Sequence, residues 1–436
     1  MLDSATSAAS VGQDDTRIPA RVVAAGAVGS IVEYYDFGVY GFVSTMLAAH
    51  FFVSGDDNAS LLATLATFAV AFALRPVGGV LFGHLGDRYG RKNALAATVV
   101  LMAIASGLIG VLPTYAAIGV GATVLLVLAR CVQGLAAGGE VSGAASYVAE
   151  HSPNHRRGLY CATTQTGALV GALLASLCVA LLNTVLGESA MNDWGWRIAF
   201  LIAIPLGVVG LLIRSRLADS PAFRATEKRD ETARIPFVTL LSTHKVALLK
   251  CVGLSILLFS AYYICYVYIG LHFQKVLGFS STVAFWSTTA TLAVSAACMP
   301  FFGALSDRVG RRNVFVGASI AAVVLPVPGF LLFETGTGGA VAAQIVLGLI
   351  DSALMGAAFS TFAEMFPTRI RYTGIALGFN IGSAAAGGTA PYICTWLVDA
   401  SGSNLAPAWF FIGTAVITLG AAVTLKETAG TPLRDA

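Results

Sequence analysis

GHLGDRYGRKNAL, residues 83–95, returns in the second half of the chain as GALSDRVGRRNVF, residues 303–315. Gly83, Asp87, Arg88, Gly90, Arg91 and Asn93 reappear as Gly303, Asp307, Arg308, Gly310, Arg311 and Asn313 at one constant offset. Each copy is a short charged knot between two long apolar runs. A membrane protein made of two similar bundles carries one tight loop per bundle, so the repeat predicts a duplicated, membrane-embedded chain. The glycines permit a tight turn and close helix contact, while the Asp and Arg side chains can pair with charges on neighbouring helices. Topology alone would account for the arginines. It does not account for the repeated Gly, Asp and Asn spacing.

Composition agrees with the knots. The 436 residues are 56% hydrophobic and 11% charged, with a mean hydropathy of +0.78, whereas soluble domains carry about 25% charged residues. The chain is an integral membrane protein whose partner is the lipid bilayer. With about 20 apolar residues needed per crossing helix, twelve spans are expected at 22–49, 60–86, 94–112, 116–148, 159–186, 196–216, 247–273, 282–305, 314–333, 340–365, 373–399 and 406–425. These runs are too long and too evenly apolar for barrel strands. The expected fold class is therefore all-α, with twelve transmembrane helices in two six-helix bundles.

The organisation that follows is an N-terminal tail (1–20), a first bundle (21–216), a central loop (217–246), a second bundle (247–426) and a C-terminal tail (427–436). The central loop contains the charged, Pro-punctuated SPAFRATEKRDETARIP. Arg75 and Arg130 fall inside spans, and Arg197 and Lys275 on the far side; every other Lys and Arg falls on one side, with both termini, which makes that side cytoplasmic. No cleaved signal peptide is expected, so the first helix serves as its own insertion signal. A net charge of +3 is too small to imply a nucleic-acid partner. The seven cysteines lie in apolar runs without metal-ligand spacing and read as helix-packing residues, so no disulfide framework, metal or cofactor is expected.

A second echo lies at the ends of spans four and ten. Glu150, Pro153 and Arg157 in YVAEHSPNHRRG correspond to Glu364, Pro367 and Arg371 in FAEMFPTRIRYTG. Glu150 and Glu364 are expected partners for Arg91 and Arg311, in a cluster that closes the cytoplasmic side in one state and breaks in another.

The duplicated knot, twelve spans and central loop resemble the major facilitator superfamily. Within it, GSIVEYYDFGVYGF (29–42), LRPVGGVLFGHLGDRYGRK (74–92), RCVQGLAAGGEVSGAASYVAEHSP (130–153), DWGWRIAF (193–200), FPTRIRYTG (366–374) and KETAGTPL (426–433) are similar to the metabolite:proton symporters. The first, fourth and last of these are most similar to symporters of proline and glycine betaine. The resemblance spans residues 21–434 and implies a secondary transporter that works by alternating access, with the proton as coupling ion. It further implies a multi-pass protein of a bacterial inner membrane, functioning as a monomer. Osmosensing members often carry a long C-terminal coiled-coil extension, which the residues up to Ala436 do not include, so the resemblance leaves osmotic regulation of that kind open.

A charge at mid-bilayer costs roughly 3 kcal/mol on insertion scales, so the six ionisable residues inside spans, Glu33, Asp36, Arg75, Arg130, Glu140 and Asp351, are functional candidates. Glu33 and Asp36 stand i, i+3 on one face of span one, roughly 18–22 Å along the helix from Arg21. Two carboxylates so close in low dielectric do not easily both ionise, and symport requires a group that takes up and releases a proton. The plainer reading, acids neutralised by arginines on adjacent helices, stands beside it. On span four, Arg130, Gln133 and Glu140 form a stripe beside Gly134, Gly138 and Gly139, where another helix can pack. Arg130 is expected to pair with Asp36 or Glu33 when the site is empty and to pass its charge to a substrate carboxylate when it is loaded. Glu140 is a relay or gate carboxylate. Arg75 precedes Pro76, so its guanidinium has freed backbone carbonyls to bond as well as substrate to contact. Asp351, in span ten, is a second-half acid for the proton path.

Tyr34 and Tyr35 flank the acid pair, and in span seven Tyr263 and Tyr266 share a face at i, i+3. Tyrosine faces can hold a quaternary ammonium while Arg130 takes its carboxylate, although such rings also serve packing and interface roles. Gln165, Trp286, Phe379 and Asn380 complete the substrate-site candidates, as residues inside helices. These features favour uptake of a zwitterion such as proline or glycine betaine. The alternative is a symporter of a di- or tricarboxylate or related organic acid (2-oxoglutarate, citrate or shikimate type), in which Arg75 and Arg130 both bind carboxylates; a proton-coupled efflux antiporter is a third reading. No HExxH, GxSxG or Walker A pattern occurs, and LAAGGEVSG lies mid-helix, so an enzyme is not expected.

Overall fold

The computed structural model describes residues 20–53, 55–89, 91–138, 146, 148–215 and 236–433, with side chains at 20–26, 83–84, 86–95, 213–215, 236–239 and 369 outside the description. Twelve helical spans run through it. In the first half these are α1 (20–51, interrupted at Val43), α2 (Asp57–Tyr89), α3 (Arg91–Val111), α4 (Val120–Ala137), α5 (Arg157–Leu186) and α6 (188–215). A short helix, Pro236–Thr243, then leads into α7 (Lys245–Lys275), α8 (Ser281–Val309), α9 (311–333), α10 (Thr337–Met365), α11 (368–401) and α12 (Ala406–Val423). The end of the stretch expected to be a central loop is thus helical, with Pro236 in the first helical position, where its missing N–H costs nothing. The part of that loop up to residue 235 lies outside the described residues.

Irregularities in the helices follow from local chemistry. α9 bends by 46° where Pro326 follows Leu325 and interrupts the backbone ladder. π-helical turns interrupt α6 at Met191–Gly195, α7 at Ile264–Tyr268 and α11 at Ser383–Gly387. Such a turn leaves a carbonyl without its usual helical donor. In α7, Cys265 O accepts instead from Gln344 Nε2 of α10 at 2.9 Å. In the first half α4 lies directly against α2, because a Cβ on Gly134 or Gly138 would collide with the carbonyl of Ala71 or Arg75.

The two halves meet where α5 runs along α8. At the end that carries the knots, Gly303 of α8 touches the backbone of Gly158 on α5, and Gly310 turns the chain into α9 with φ +102°, a conformation that favours glycine. Asp307 accepts the N–H groups of Gly158 and Leu159 at 2.8 and 2.9 Å, capping α5 from the other half. The echoed Glu and Arg residues pair across the halves. Arg157 reaches Glu364 at 2.8 Å, and Arg371 reaches Glu150 at 2.7 Å. Each arginine also bonds a carbonyl of its own half, Ala149 O at 3.2 Å and Ala363 O at 2.9 Å.

Glu364 pairs with Arg311 as expected, at 3.3 Å, but more closely with Arg157. Arg311 also pairs with Asp307 at 2.8 Å. Arg308, expected in the cluster, is exposed on the outer side of the helix. The side chains of Asp87, Arg88 and Arg91, together with Gly83 and Gly90, lie outside the described residues, and with them the expected Glu150–Arg91 pair.

The C-terminal segment after α12 joins this cluster. Glu427 accepts the N–H groups of Arg311 (2.9 Å) and Arg312 (3.2 Å) at the start of α9, Thr428 Oγ1 donates to Glu364 at 2.6 Å, and Thr431 O accepts from Arg157 at 3.1 Å. The opposite face is closed by neutral or singly charged hydrogen bonds: Asn58 to Asp399 (3.0 Å), Asn183 to Thr282 (3.0 Å), Ser281 to Glu188 (2.8 Å) and Trp286 to Thr184 (3.1 Å).

Two measurements test the cluster. Cys161, one turn along α5 from Arg157, is buried beside it. Glu364→Gln leaves the buried Arg157 without its carboxylate and Arg311 with Asp307 alone, a loss of about 3–5 kcal/mol, so Cys161 is expected to become reactive to a membrane-impermeant maleimide applied from that face. Unchanged labelling would show that the ion pairs do not hold the face shut. For Glu427, burial pushes the carboxyl up, but the N–H groups of Ala429, Arg311, Thr428 and Arg312 outweigh it and hold the group below its ordinary 4.5. Its contribution is therefore complete above pH 4.5 and is lost only as the pH falls below that through the depressed value. Amide exchange at Arg311 and Arg312, corrected for intrinsic rates, should stay protected at pH 4.5 and lose protection at lower pH.

Candidate functional site

α1 turns Glu33, Asp36, Phe37 and Tyr40 towards α2 and α4, as their i, i+3, i+4 and i+7 spacing dictates. Glu33, Asp36, Arg75 and Arg130 are each 0–1% exposed, so the structure is closed over them from both faces. Arg75 of α2 pairs with Glu33 through Nη2 and Oε1 at 3.0 Å. Its guanidinium also lies 4.3 Å from the ring centres of both Phe37 and Phe72. The expectation that Glu33 or Asp36 pairs with Arg130 is corrected here, as is that of local carbonyl bonding by Arg75. The contact between α2 and α4 at Gly134 and Gly138 seats Arg75 deep between α1 and α2, in line with Glu33.

Arg130 takes a different set of contacts. Its Nη1 donates to Gln133 Oε1 at 2.8 Å, and Gln133 passes the contact on through Nε2 to Ser106 of α3 at 2.6 Å. The guanidinium faces the rings of Tyr40 (4.2 Å), Phe37 (4.8 Å) and Phe68 (5.1 Å). Nε and Nη2 have no acceptor among the described residues. Among the described residues neither oxygen of Asp36 has a donor in good hydrogen-bond geometry; Ser106, with which it interacts, Arg130 and Glu33 are the polar groups around it. A buried guanidinium with two free donors thus stands near a buried carboxylate with which it does not pair.

The second half closes over these groups with rings. Tyr262 packs edge-on against Tyr34 at 5.4 Å, and Tyr263 against Phe72 and Phe68 at 5.0 and 5.5 Å. Tyr266 touches Tyr262 at 5.1 Å and donates to Gly348 O of α10 at 3.0 Å. The face expected to be shared by Tyr263 and Tyr266 is therefore replaced by Tyr262 and Tyr266, because the π-turn beginning at Ile264 shifts the helical register. Asp351 is buried beside the Tyr266 hydroxyl, with which it interacts, and among the described residues neither of its oxygens has a donor in good hydrogen-bond geometry.

Other candidates fall outside this cluster. Tyr35 turns away to donate to Ala199 O of α6 at 2.9 Å. Trp286 is 39% exposed at the α5–α8 seam, and Phe379 packs in a ring cluster with Phe259 and Phe359. Asn380 donates across the halves to Gly138 O at 3.3 Å, towards the knot end of the site. Gln165 is buried on α5, its Oε1 without a donor among the described residues. Glu140 lies outside the described residues. Phe37, Tyr40, Phe68, Phe72, Ser106 and Tyr262 were absent from the sequence candidates. For four of them a signal existed: Phe37 and Tyr40 share the helical face of Glu33 and Asp36, and Phe68 and Phe72 precede Arg75 by two turns and one.

The resemblance read from the motifs is matched by comparison with known proteins. A family described as "Sugar (and other) transporter" matches residues 22–240, and one described as "Major Facilitator Superfamily" matches residues 276–433. The chain is 38% identical over 426 residues to the proline/betaine transporter of Salmonella typhimurium, covering 95% of this chain and 85% of that one. It is 38% identical over 433 residues to the glycine betaine/proline/ectoine/pipecolic acid transporter OusA of Dickeya dadantii, covering 97% and 86%. In fold it is similar to the Escherichia coli proton:xylose symporter XylE bound to 6-bromo-6-deoxy-D-glucose, with a TM-score of 0.76 at 19% identity over 95% of this chain and 97% of that one. With the duplicated knot, the twelve spans and relatives aligned over nearly its whole length, the chain belongs to the major facilitator superfamily and is a multi-span membrane transporter.

Proposed function

We propose that the chain imports a small zwitterionic compatible solute, of the proline or glycine betaine kind, together with protons by alternating access. The working protein is a monomer in a bacterial inner membrane, with both termini and the ion-pair cluster on the cytoplasmic side, where the cluster is the gate. The observation that carries this reading is Arg130, buried against three aromatic faces with two donors unused, beside an Asp36 that it does not neutralise by contact. The solute class follows from the relatives, which are transporters of proline and betaines.

Charge accounting supports the coupling. Glu33 and Asp36 face Arg75 and Arg130, two negative groups and two positive, so the empty site can sit near neutrality. A solute carboxylate that draws Arg130 to itself leaves Asp36 without its neighbouring positive charge, and a proton on Asp36 neutralises the carboxylate left behind. When Arg130 turns its free donors to that carboxylate, it leaves the faces of Phe37, Tyr40 and Phe68, and the ammonium end of the same solute takes its place there. The solute's own ammonium is held by the ring quadrupoles, so the loaded, protonated site carries the one positive charge of the coupled proton. Arg75, already paired with Glu33, leaves one guanidinium for ligand, which suits one carboxylate better than two or three.

Radiolabelled uptake into proteoliposomes, with and without an imposed proton gradient, tests the reading over a panel of glycine betaine, proline, 2-oxoglutarate, citrate and shikimate. Gradient-dependent accumulation of the zwitterions is expected. Arg130→Ala should lower kcat/KM by about 100-fold or more, as for loss of one member of a buried charge network, and Asp36→Asn should abolish the response to the gradient. Phe37→Leu should weaken glycine betaine by about tenfold, the scale of a desolvated cation–π contact. Full gradient-driven uptake by Arg130→Ala, or accumulation of citrate in place of the zwitterions, would end the proposal.

A further inference from the structure

A second polar site lies above the aromatic cluster, at the face opposite the knots. There the first turns of α2 and the far ends of α7 and α11 enclose a hollow of about 130 Å³, room for about four waters or one solute the size of an amino acid. Asn58, Tyr268, His272, Lys275 and Asp399 supply its polar lining. Lys275 and Asp399 carry opposite charges around one space, and among the described residues no ion pair joins them. Asp399 accepts from Asn58 at 3.0 Å, which leaves acceptor capacity on its carboxylate. His272 is 2% exposed, and its Nδ1 meets Tyr268 Oη at 3.2 Å, while its Nε2 has no partner among the described residues. Two separated charges, a buried imidazole nitrogen and a tyrosine face together complement a molecule with a carboxylate at one end and an ammonium at the other.

The hollow is also in line with the central site. Its floor is an apolar plug of Ala48, Leu61, Leu65 and Leu271, each at most 5% exposed. On α2, Leu61, Leu65, Phe68 and Phe72 follow one another at helical spacing, so the plug separates the hollow from the aromatic rings by about 10 Å from Leu61 to Phe68. On α7, Lys275 and His272 stand above Leu271, and Tyr268, Tyr266 and Tyr263 follow below it in turn. A solute moving between α2 and α7 meets the charged hollow, the plug and the rings in that order.

We infer that this hollow is a low-affinity access site, where a small zwitterionic solute docks between Lys275 and Asp399 before the Leu61–Leu65–Leu271 plug opens. The inference rests on the zwitterion reading above and adds a second place to bind. The test is equilibrium binding of radiolabelled glycine betaine to the full chain in nanodiscs: the wild type, Arg130→Ala, and Arg130→Ala combined with Lys275→Gln and Asp399→Asn. Loss of the central site in Arg130→Ala should leave weak, saturable binding. Adding Lys275→Gln and Asp399→Asn should weaken that remainder by about tenfold or more, the scale of a lost charged contact, while the exchanged pair Lys275→Asp with Asp399→Lys should restore it. Wild type that binds while Arg130→Ala does not, or residual binding indifferent to the pair, would overturn the access site alone. Wild type that neither binds nor accumulates the zwitterion would overturn the reading of the central site, and the access site with it.

Discussion

A guanidinium in the middle of a bilayer persists only beside a carboxylate or against polarisable faces, and the first half of this protein is arranged around that requirement. Arg75 has the carboxylate, Glu33, and Arg130 has the faces, Phe37, Tyr40 and Phe68. Phe37 lies between the two arginines and serves both. None of these contacts forms unless α1, α2 and α4 approach closely, and the missing side chains of Gly134 and Gly138 are what permit it. A buried pair adds little net stability over an apolar substitute, but removing one member is costly. The cluster is therefore better understood as a set of mutually dependent charges than as a brace.

The two ends of the molecule are closed by different chemistry. At the knot end, duplication has placed a Glu and an Arg at equivalent helix ends of each half, and they pair crosswise, Arg157 with Glu364 and Arg371 with Glu150. Each arginine is also held by a carbonyl of its own half, so separation of the halves there breaks the ion pairs but leaves each guanidinium oriented. At the other end the contacts are hydrogen bonds through Asn, Ser, Thr and Trp side chains. Opening at that end exchanges hydrogen bonds of about 0.5–1.5 kcal/mol net for bonds to water, whereas opening at the knot end also separates the Arg157–Glu364 and Arg371–Glu150 ion pairs.

Much of this was legible in the residues. Span positions follow from apolar run length, and the sites of close approach from glycine. The central charges stood out because ionisable residues are so costly inside a span. Pairing was less legible, since composition and spacing do not say which helix lies beside which. The repeat suggested Glu150–Arg91 and Glu364–Arg311 within each half; the crosswise pairs depend on how the halves dock. The ring cluster was only partly visible for a similar reason. A Phe in a membrane helix is ordinary, and Phe68 becomes distinctive only when Arg130 lies over it. In α7, one π-turn exchanged Tyr263 for Tyr262 as the neighbour of Tyr266, a change in register that residue spacing alone does not reveal.

The unequal distribution of chemistry between the halves has a mechanical consequence. The central buried charges of the first half belong to α1, α2 and α4, whereas the second half contributes Tyr262, Tyr263 and Tyr266 as a lid, with Asp351 behind it. The lid is mounted on the π-turn of α7, and the π-turn of α11 lies against Phe72. Rings that seal against rings hold by area and quadrupole rather than by directional bonds, so the lid can slide over the charged half without leaving polar groups unpaired. Movement of Arg130 off Phe37, Tyr40 and Phe68 changes the surface on which that lid rests. A ligand that rearranges one guanidinium therefore alters the contact between the halves directly, with no separate relay between binding and closure.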